Sequence, residues 1–465
     1  MKQRYFPTIL TVASLVLIAF ACRKRDAMLP DVLINFETTE QGIASTEDTL
    51  NLDLYLTRPA EKNDTVSVSL TETGVIYGSA YTTIPAATNN KLQLVIAEGK
   101  QDAVIKLVKV RGALFYGDEK LNFTIEDPGA PLFVGVKRNM RVSFAELVAT
   151  TSATVINGGG ANFPNKVFID LSANRSTAVN RNNWDLGFYC GADDNRVILN
   201  SSAAMMVKQL TKNDLTQVNA TDTVGFGATV AFSLYNPLPE QLPFIDYPNG
   251  DLTRTAIAAI SATAADNKVY IVNRGLAPGS PASARGWKKI RVLQNASGYT
   301  LQYADIASTS FQEIAVPKLS GYNFNYVSFD NGVLKIEPEK TKWDFAWTYF
   351  SNVTNFGAGE VPYLYQDIIL LNRGVSAVKV LVATKPFADF SAADISGLTF
   401  SANQTAIGAD WRSGGGPGSA PAVRTDRYYI VKDPGNNYYK VRFTALTQNG
   451  ERGYPAYESV LVKKG

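Results

Sequence analysis

The sequence predicts an all-β protein, built from an N-terminal β-sandwich and two tandem β-rich repeats. Apolar and polar residues alternate with a period of two along many short segments, which is typical of half-buried strands. Gly, Asn, Asp and Pro separate these segments, and no segment shows a long helical periodicity. Several motifs also recur in the same order at an offset of about 160 residues, which indicates an internal duplication.

The N-terminus predicts export and a lipid anchor. Lys2 and Arg4 precede an apolar segment, residues 6–20, that is too short to span a membrane. This segment runs into Ala19-Phe20-Ala21-Cys22, which resembles a bacterial lipobox whose cysteine is acylated and becomes the new N-terminus. Cys22 is therefore the expected lipidation site.

This interpretation places a lipoprotein signal peptide at residues 1–21 and a tether at residues 22–30. Two alternatives remain, a plain signal peptide that is cleaved near Ala21 and a short N-terminal anchor. We expect a lipid-anchored protein of the outer membrane. The basic run Arg23-Lys24-Arg25 leaves open whether it faces the periplasm or the outside.

Composition excludes several classes of function. The chain has 465 residues and no histidine, so it cannot form a Ser–His–Asp triad, an HExxH zinc site or a bis-histidine haem site. The net charge is +3, and five bases with no acid lie within the first 25 residues, so the body is near neutral and shows no electrostatic footprint for nucleic acid. We expect a protein that is not an enzyme.

Residues 31–148 are predicted to form an immunoglobulin-like sandwich, because about seven short strands are separated by turn signals. The predicted strands are Val32–Phe36, Leu50–Leu56, Thr65–Leu70, Lys91–Ile96, Ala103–Val108, Lys120–Ile125 and Arg138–Phe144.

This region resembles Calx-beta-type sandwiches through Gly78-Ser79-Ala80-Tyr81 and the later Gly117-Asp118-Glu119. Some of those domains bind calcium through carboxylates in end loops, and Asp118, Glu126 and Asp127 are the residues here that this resemblance would implicate. The favoured alternative is that these acids form turns, since no dense acidic run resembles a calcium loop.

Residues 149–162 are small, polar and Gly-rich and are predicted to be a linker. The repeats are predicted at 163–316 and 317–465. Five markers recur in the same order in both copies: Val167-Phe168-Ile169-Asp170 with Val327-Ser328-Phe329-Asp330, Trp184-Asp185-Leu186 with Trp343-Asp344-Phe345, Ile198-Leu199-Asn200 with Leu370-Leu371-Asn372, Lys268–Val272 with Arg427–Val431, and Lys289-Ile290-Arg291-Val292 with Lys440-Val441-Arg442-Phe443.

The repeated Trp-Asp pairs favour a structural role. Trp184 and Trp343 each supply a large ring for burial, whereas Asp185 and Asp344 are placed to cap a turn or to pair with a base. The alternative is that the tryptophans stack against a ligand.

The markers resemble those of the HmuY family, haem-binding lipoproteins of Gram-negative anaerobes. The second copy is most similar, with Lys342-Trp343-Asp344-Phe345-Ala346, a run at Arg427–Asn436 and Tyr439-Lys440-Val441-Arg442-Phe443-Thr444. The resemblance implies an all-β fold, a lipid anchor on the outer membrane and capture of haem. Members of that family hold the haem iron between two histidines, and related members use methionine. This chain has no histidine to carry over.

Methionine and tyrosine are the remaining candidates for a haem ligand. Met205 and Met206 are the first choice, because they follow a small polar turn in the first copy and because the resemblance implies methionine where histidine is absent. The alternative is that both fill gaps in a core. Tyr363 and Tyr365 lie in a Gly/Pro-containing stretch that only the second copy has, and the alternative is a plain hairpin loop.

Two functions therefore remain open. The first is a haem- or porphyrin-binding lipoprotein without histidine ligation, whose partners would include haem, a haemoprotein or an outer-membrane receptor. The second is a non-catalytic surface binding module for a glycan, a peptide or an outer-membrane partner.

Overall fold

The computed structural model describes residues 31–43, 47–111, 113, 115, 119–126, 128, 132–145, 149–192, 194–233, 236–415 and 418–465. The predicted signal peptide, the tether and Cys22 lie outside these residues. The chain divides into two compact units, Met1–Leu147 and Val148–Gly465. Across the described part of the chain, no helix has both the length and the apolar character needed to cross a membrane.

The first unit contains ten strands in two five-stranded sheets. The strands are β1 (Val32–Phe36), β2 (Glu40–Gly42), β3 (Thr49–Leu56), β4 (Asp64–Thr73), β5 (Tyr81–Ile84), β6 (Lys91–Ile96), β7 (Asp102–Lys109), β8 (Lys120–Ile125), β9 (Leu132–Val134) and β10 (Asn139–Ser143). The sheet orders are β5-β7-β3-β1-β9 and β2-β10-β8-β4-β6.

Alternating side chains from the two sheets form one core. In β3, for example, every second residue from Leu50 to Leu56 is buried, as the period of two predicts. The core also contains Phe36, Phe123 and Val142. The predicted β-sandwich is thus confirmed, and all seven predicted strands are present. The strands β2, β5 and β9 were not predicted.

The residues of the predicted calcium alternative are only partly described. Glu126, directly after β8, forms an ion pair of 2.9 Å with Lys91 of β6. Asp118 and Asp127 lie outside the described residues. Among the residues that are described, no group of three or more Cys, Asp or Glu side chains is arranged to hold a metal ion.

The second unit contains the remaining strands, which continue the chain order. They are β11 (Thr151–Val155), β12 (Asn165–Asp170), β13 (Arg175–Asn180), β14 (Leu186–Tyr189), β15 (Val197–Leu199), β16 (Met206–Gln209), β17 (Tyr270–Asn273), β18 (Leu276–Ala277), β19 (Ser283–Ala284), β20 (Trp287–Asn295), β21 (Gly298–Ala304), β22 (Gln312–Pro317), β23 (Phe324–Ser328), β24 (Gly332–Leu334), β25 (Phe345–Asn355), β26 (Glu360–Leu371), β27 (Ser376–Leu381), β28 (Arg412–Ser413), β29 (Ala422–Val423), β30 (Arg427–Lys432), β31 (Tyr438–Gln448) and β32 (Glu451–Lys463).

Among the described residues, helical structure is limited to short segments between strands. The 3₁₀ turns are Ser201–Ala203, Leu215–Gln217, Ala220–Thr223, Pro239–Phe244, Leu252–Arg254, Ala264–Asp266 and Ala392–Gly397, and the one described α-helix is α1 (Phe226–Thr229). Most of them lie between β16 and β17, where the first copy carries a long insertion. The fold of the described residues is therefore all-β, as predicted.

The second unit has two lobes, each with its own core. The contiguous lobe runs from β14 to β24 and contains the sheets β15-β14-β23-β24 and β16-β17-β20-β21-β22. The split lobe combines β11–β13 with β25–β32 in the sheets β13-β12-β25-β26 and β11-β32-β31-β30-β27. Two short ribbons, β18-β19 and β28-β29, complete the unit.

The two sequence copies exchange their first strands. β12, from the first copy, pairs with β25 of the second copy through Ile169 and Phe345. In the same way, β23 of the second copy pairs with β14 of the first through Val327 and Leu186. The folded lobes therefore do not coincide with residues 163–316 and 317–465, because each lobe takes strands from both copies.

The region that was predicted as a linker contributes one of these strands. β11 (Thr151–Val155) pairs with β32 along its whole length, from Thr151 opposite Val460 to Val155 opposite Ala456. Its small residues fit an edge strand that is held mainly by backbone hydrogen bonds.

The structure also shifts the register of one predicted repeat marker by two residues. The backbone N–H of Asp344 donates to the carbonyl of Ile169, and the N–H of Asp185 donates to that of Val327. Ile169 is therefore equivalent to Val327, whereas the sequence comparison aligned Val167 with Val327. A shift of two residues leaves every side chain on the same face of its strand, so the apolar pattern does not distinguish the two registers.

Candidate functional site

The Trp-Asp motif of the first copy forms a buried turn at the start of β14. The side chains of Trp184 and Asp185 are 3% and 0% exposed. Asn200, at the end of β15, donates from Nδ2 to the Trp184 carbonyl at 2.8 Å, and its backbone N–H donates to the Asp185 carbonyl. The Asp185 carboxylate accepts the backbone N–H of Phe329 at 2.9 Å. Since Phe329 directly follows β23, the motif ties this strand of the second copy to β14 of the first.

The second copy repeats this arrangement before β25. Trp343 and Asp344 are 7% and 3% exposed. Asn372 donates from Nδ2 to the Trp343 carbonyl at 2.7 Å. Asp344 accepts the backbone N–H of Leu171 at 2.7 Å. Both tryptophans belong to one apolar cluster between the lobes, where Phe168 meets Trp343 edge to face with ring centroids 4.9 Å apart. These contacts support the structural interpretation of the motifs.

The charges around the two motifs are opposite. In the first copy, Arg274 donates to both Asp185 oxygens at 3.0 Å and also to Asp330, and Arg285 adds a contact of 2.8 Å to Asp185. Ile271 of β17 and Ile430 of β30 are equivalent, because each pairs with the lysine that begins the last repeat marker, Lys289 or Lys440. Arg274 and Asp433 each lie three residues later, directly after the strand, so they are equivalent too.

The second copy therefore has carboxylates where the first has a guanidinium. Asp170, Asp344 and Asp433 are all buried, with exposed fractions of 3–4%. Burial, and then the nearby charges of Asp170 and Asp433, raise the pKa of Asp344 well above its usual range. Asp344 is thus expected to release its proton at a higher pH than an ordinary aspartate, whereas the Asp185 carboxylate forms ion pairs with Arg274 and Arg285.

A long hairpin distinguishes the second copy from the first. β12 pairs with β25 only as far as Trp347, whereas β25 and β26 continue to pair with each other as far as Asn355 and Glu360. We call residues 349–366 the hairpin arm. The strands of the first copy that correspond to β25 and β26, β14 and β15, have only four and three residues. The arm is the extra segment that the sequence comparison detected.

The hairpin arm carries three neighbouring aromatic rings. Phe356 is 68% exposed and meets Tyr363 edge to face at 5.5 Å between ring centroids. Tyr363 in turn meets Tyr365 at 5.3 Å. Tyr363 and Tyr365 are both half-buried and point to one side of β26, since they are two residues apart. We call these three residues the aromatic row.

A buried charged cluster anchors the base of the arm. Asp367, whose φ of +52° marks a bulge in β26, forms ion pairs with Arg452 and, at 3.9 Å, with Arg412. Trp411 donates from its indole nitrogen to the Asp367 carbonyl at 3.0 Å. Burial lowers the pKa of Arg412, and this side chain interacts electrostatically with Asp367 and with Tyr365. The cluster therefore places positive charge near the aromatic row.

Met205 and Met206 are both inside cores. Met205 is 1% exposed and belongs to the core of the contiguous lobe. Met206 is 0% exposed and packs on the other face of β16, among Leu215, Val218 and Phe226. Met205 lies directly before β16 and Met206 is its first residue, and the two thioethers are buried in separate cores. This geometry favours the alternative that they are core residues.

Comparison with known proteins follows the same division of the chain. A family model described as "HmuY protein" matches residues 162–313 and 320–458, together more than half of the chain. The chain belongs to the HmuY family. The two matched segments correspond to the two sequence copies, so this chain carries the HmuY sequence twice. No curated protein matches it.

Several solved structures are similar to parts of this HmuY-family chain. The Calx CBD1 domain is similar over the N-terminal region, with 11% identity and a TM-score of 0.22, and the match covers 25% of this chain and 97% of that domain. A two-domain protein of unknown function from Bacteroides fragilis matches with 10% identity and a TM-score of 0.18, and the match covers 47% of this chain and 79% of that protein. A Bacteroides ovatus protein proposed to bind carbohydrate matches with 12% identity and a TM-score of 0.18, and the match covers 73% of this chain and 98% of that protein.

Of the candidate ligand residues, the structure brings together Tyr363 and Tyr365 and leaves the methionines in separate cores. The sequence analysis missed Phe356 as the third member of the row. Its position directly before Gly357, in the stretch that only the second copy has, is the signal that identifies it. The role of Arg412 and Asp367 has no such signal, because their contact depends on strands that are distant in sequence.

Proposed function

We propose that this HmuY-family chain is a non-catalytic, lipid-anchored binding protein that captures haem or a related porphyrin on the aromatic row. The observation that carries the proposal is the position of Phe356, Tyr363 and Tyr365, which present adjacent rings on a hairpin that only the second copy has. Aromatic rings of this kind provide apolar contact area for a planar ligand at a small entropic cost.

Tyrosine supplies the iron ligand in this proposal. A phenolate oxygen is a known axial ligand of haem, and the chain has no histidine to replace it. The buried methionines contact only core residues, which favours Tyr363 or Tyr365 as the ligand. Arg412 interacts electrostatically with Tyr365, which places a cation beside this candidate ligand.

The anchor places this site at a membrane surface. In the proposal, Cys22 carries the lipid and the chain lies at the outer membrane, where haem, a haemoprotein or an outer-membrane receptor is the partner. The lipobox-like sequence before Cys22 and membership of the HmuY family support this location. Binding without catalysis agrees with the absence of histidine from the chain.

The test is a haem titration of the mature chain, made soluble by Cys22→Ser. We expect a Soret shift at micromolar haem and the high-spin ferric spectrum of a phenolate ligand. Tyr363→Phe or Tyr365→Phe should remove that spectrum, since phenylalanine keeps the ring and lacks the oxygen. Phe356→Ala should weaken binding about three- to tenfold, as expected for the loss of one aromatic contact of about 1 kcal/mol.

A matched control is Tyr55→Phe, because Tyr55 is an exposed tyrosine of the first unit. This variant should bind haem like the parent. Metal-free protoporphyrin provides a second readout, since it reports ring binding without iron coordination. Absence of any Soret shift would refute the haem proposal and leave the alternative of a glycan, peptide or protein ligand. A spectrum that is unchanged in both tyrosine variants would refute the assignment of the ligand.

A further inference from the structure

The outer face of one sheet in the first unit carries neighbouring polar side chains. In β8 and β10, core residues alternate with exposed residues, so Asn122, Asn139 and Arg141 point away from the core. The register places Arg141 between Glu40 of β2 and Asn122 of β8. Three neighbouring strands thus present amide, guanidinium and carboxylate groups side by side.

These side chains line a groove of about 330 Å³. Its lining residues are Thr39, Glu40, Asn122, Val136, Asn139 and Arg141. This volume lies at the lower end of the range of about 300–1,000 Å³ that is typical of small-molecule sites. Val136 is 99% exposed and places an apolar group at the rim.

Two contacts hold the polar groups of the groove in place. Arg141 donates from Nε to Oε1 of Glu40 at 2.8 Å and from Nη2 to the same oxygen. Thr124 donates from Oγ1 to Oδ1 of Asn139 at 2.9 Å, which fixes the amide orientation of Asn139 and directs its Nδ2 donor away from Thr124. The groove therefore offers pre-oriented donors and acceptors.

The charge of the groove limits the class of ligand. Glu40 and Arg141 neutralise each other, so the lining carries no net charge that would select an anion or a cation. Groups that both donate and accept hydrogen bonds match the hydroxyls of a sugar, each of which also donates and accepts. The exposed Val136 offers a contact for the apolar C–H face of a sugar ring.

We propose that this groove is a binding site for a neutral saccharide of one or two rings. The site lies in the first unit and is independent of the aromatic row. Asn122 and Asn139 donate to ring hydroxyls, and the carboxylate of Glu40 accepts from them. Arg141 holds the Glu40 carboxylate in position.

The test uses the full mature chain with Cys22→Ser and a set of neutral probes, namely the methyl glycosides of glucose, galactose, mannose and N-acetylglucosamine and their 1,4-linked disaccharides. Saturation-transfer NMR identifies the sugars that bind, and calorimetry gives their affinities. We expect at least one probe to bind with a millimolar or lower Kd. Asn122→Ala and Asn139→Ala should each weaken it about three- to tenfold, the loss of one hydrogen bond.

The matched control is Gln93→Ala, since Gln93 lies on the same sheet and pairs with Ser67 outside the groove. This variant should bind the sugar like the parent. The proposal would be overturned if no probe binds, or if the Asn122→Ala and Asn139→Ala variants bind the sugar as tightly as the parent. Circular dichroism of each variant separates loss of binding from loss of folding. The variants Tyr363→Phe and Tyr365→Phe, which test haem binding at the hairpin arm, should bind the sugar like the parent.

Discussion

The opposite charges around the two Trp-Asp motifs predict that replacing the aspartate by asparagine has opposite effects on stability in the two copies. Asp185 is fully buried and accepts three hydrogen bonds from the guanidinium groups of Arg274 and Arg285. Asp185→Asn removes the charge and leaves two buried cations with only Asp330 nearby. Removal of one partner from a buried ion pair costs about 3–5 kcal/mol, a large part of a typical domain stability of about 5–15 kcal/mol.

The equivalent substitution in the second copy, Asp344→Asn, removes one of three neighbouring buried carboxylates. Because the folded state raises the pKa of Asp344, the folded protein binds this proton more tightly than the unfolded chain. The stability that the proton provides is complete below the unfolded pKa of 3.8 and is lost as the pH rises towards the folded pKa. Asparagine stays neutral, so Asp344→Asn should become increasingly stabilising, relative to the parent, above pH 4.

Urea unfolding followed by tryptophan fluorescence distinguishes these effects. At pH 7.5, Asp185→Asn should lower the unfolding midpoint by about 1 M or more, for a slope of about 3 kcal/mol per M. Asp344→Asn should keep or raise the midpoint, and its advantage should be smaller at pH 5. Equal destabilisation by the two variants at both pH values would refute the inference that the charge environments are opposite.

Three further predictions concern single residues. Trp184→Ala and Trp343→Ala should each lower the free energy of unfolding by about 3–5 kcal/mol, as measured in urea, since each removes a buried aromatic ring. Cys22→Ser should move the protein from the membrane fraction to the soluble fraction, and a variant that still sediments with membranes would contradict the lipid anchor. Asp246 should titrate with a pKa of about 6, because burial opposes its charge, as carbon-13 NMR of the carboxyl group would show. Asp246→Asn should then reduce the loss of stability that the parent shows between pH 4 and pH 6.

The strands of the first unit could be read from the sequence because local patterns determine them. β1, β6 and β8 have the predicted bounds, since each has strong alternation and clear turn residues at both ends. β2, β5 and β9 were missed because segments of three or four residues are too short to show a period. β11 was missed because its small polar residues resemble a linker, although backbone pairing with β32 is enough to hold it.

The exchange of strands between the copies could not be predicted from local sequence. β12 has an equivalent apolar pattern to β23, so the sequence alone is compatible with pairing within a copy or between copies. The distance along the chain and the turns between strands decide the outcome. β22, for example, forms a hairpin with β21, which draws the start of the second copy into the contiguous lobe.

The candidate site was predicted in part for similar reasons. Tyr363 and Tyr365 were identified because they lie in a stretch with no counterpart in the first copy. For Met205 and Met206, the alternation of a strand predicts that one side chain points outward. Instead, the insertion that contains Leu215 and Phe226 covers the outer face of β16. This covering depends on long-range packing and has no signature near the methionines.

The split lobe also affects how the protein folds as it is synthesised. Its first strand, β11, ends at Val155, whereas its partner β32 starts at Glu451, about 300 residues later. At a synthesis rate of about 5–20 residues per second, roughly 15–60 s pass between the synthesis of β11 and that of its partner β32. During this time the exposed backbone of β11–β13 is free to pair with other chains. We expect folding to depend on factors that protect the early strands until the C-terminus is available, whereas the contiguous lobe can form as soon as β24 has been made.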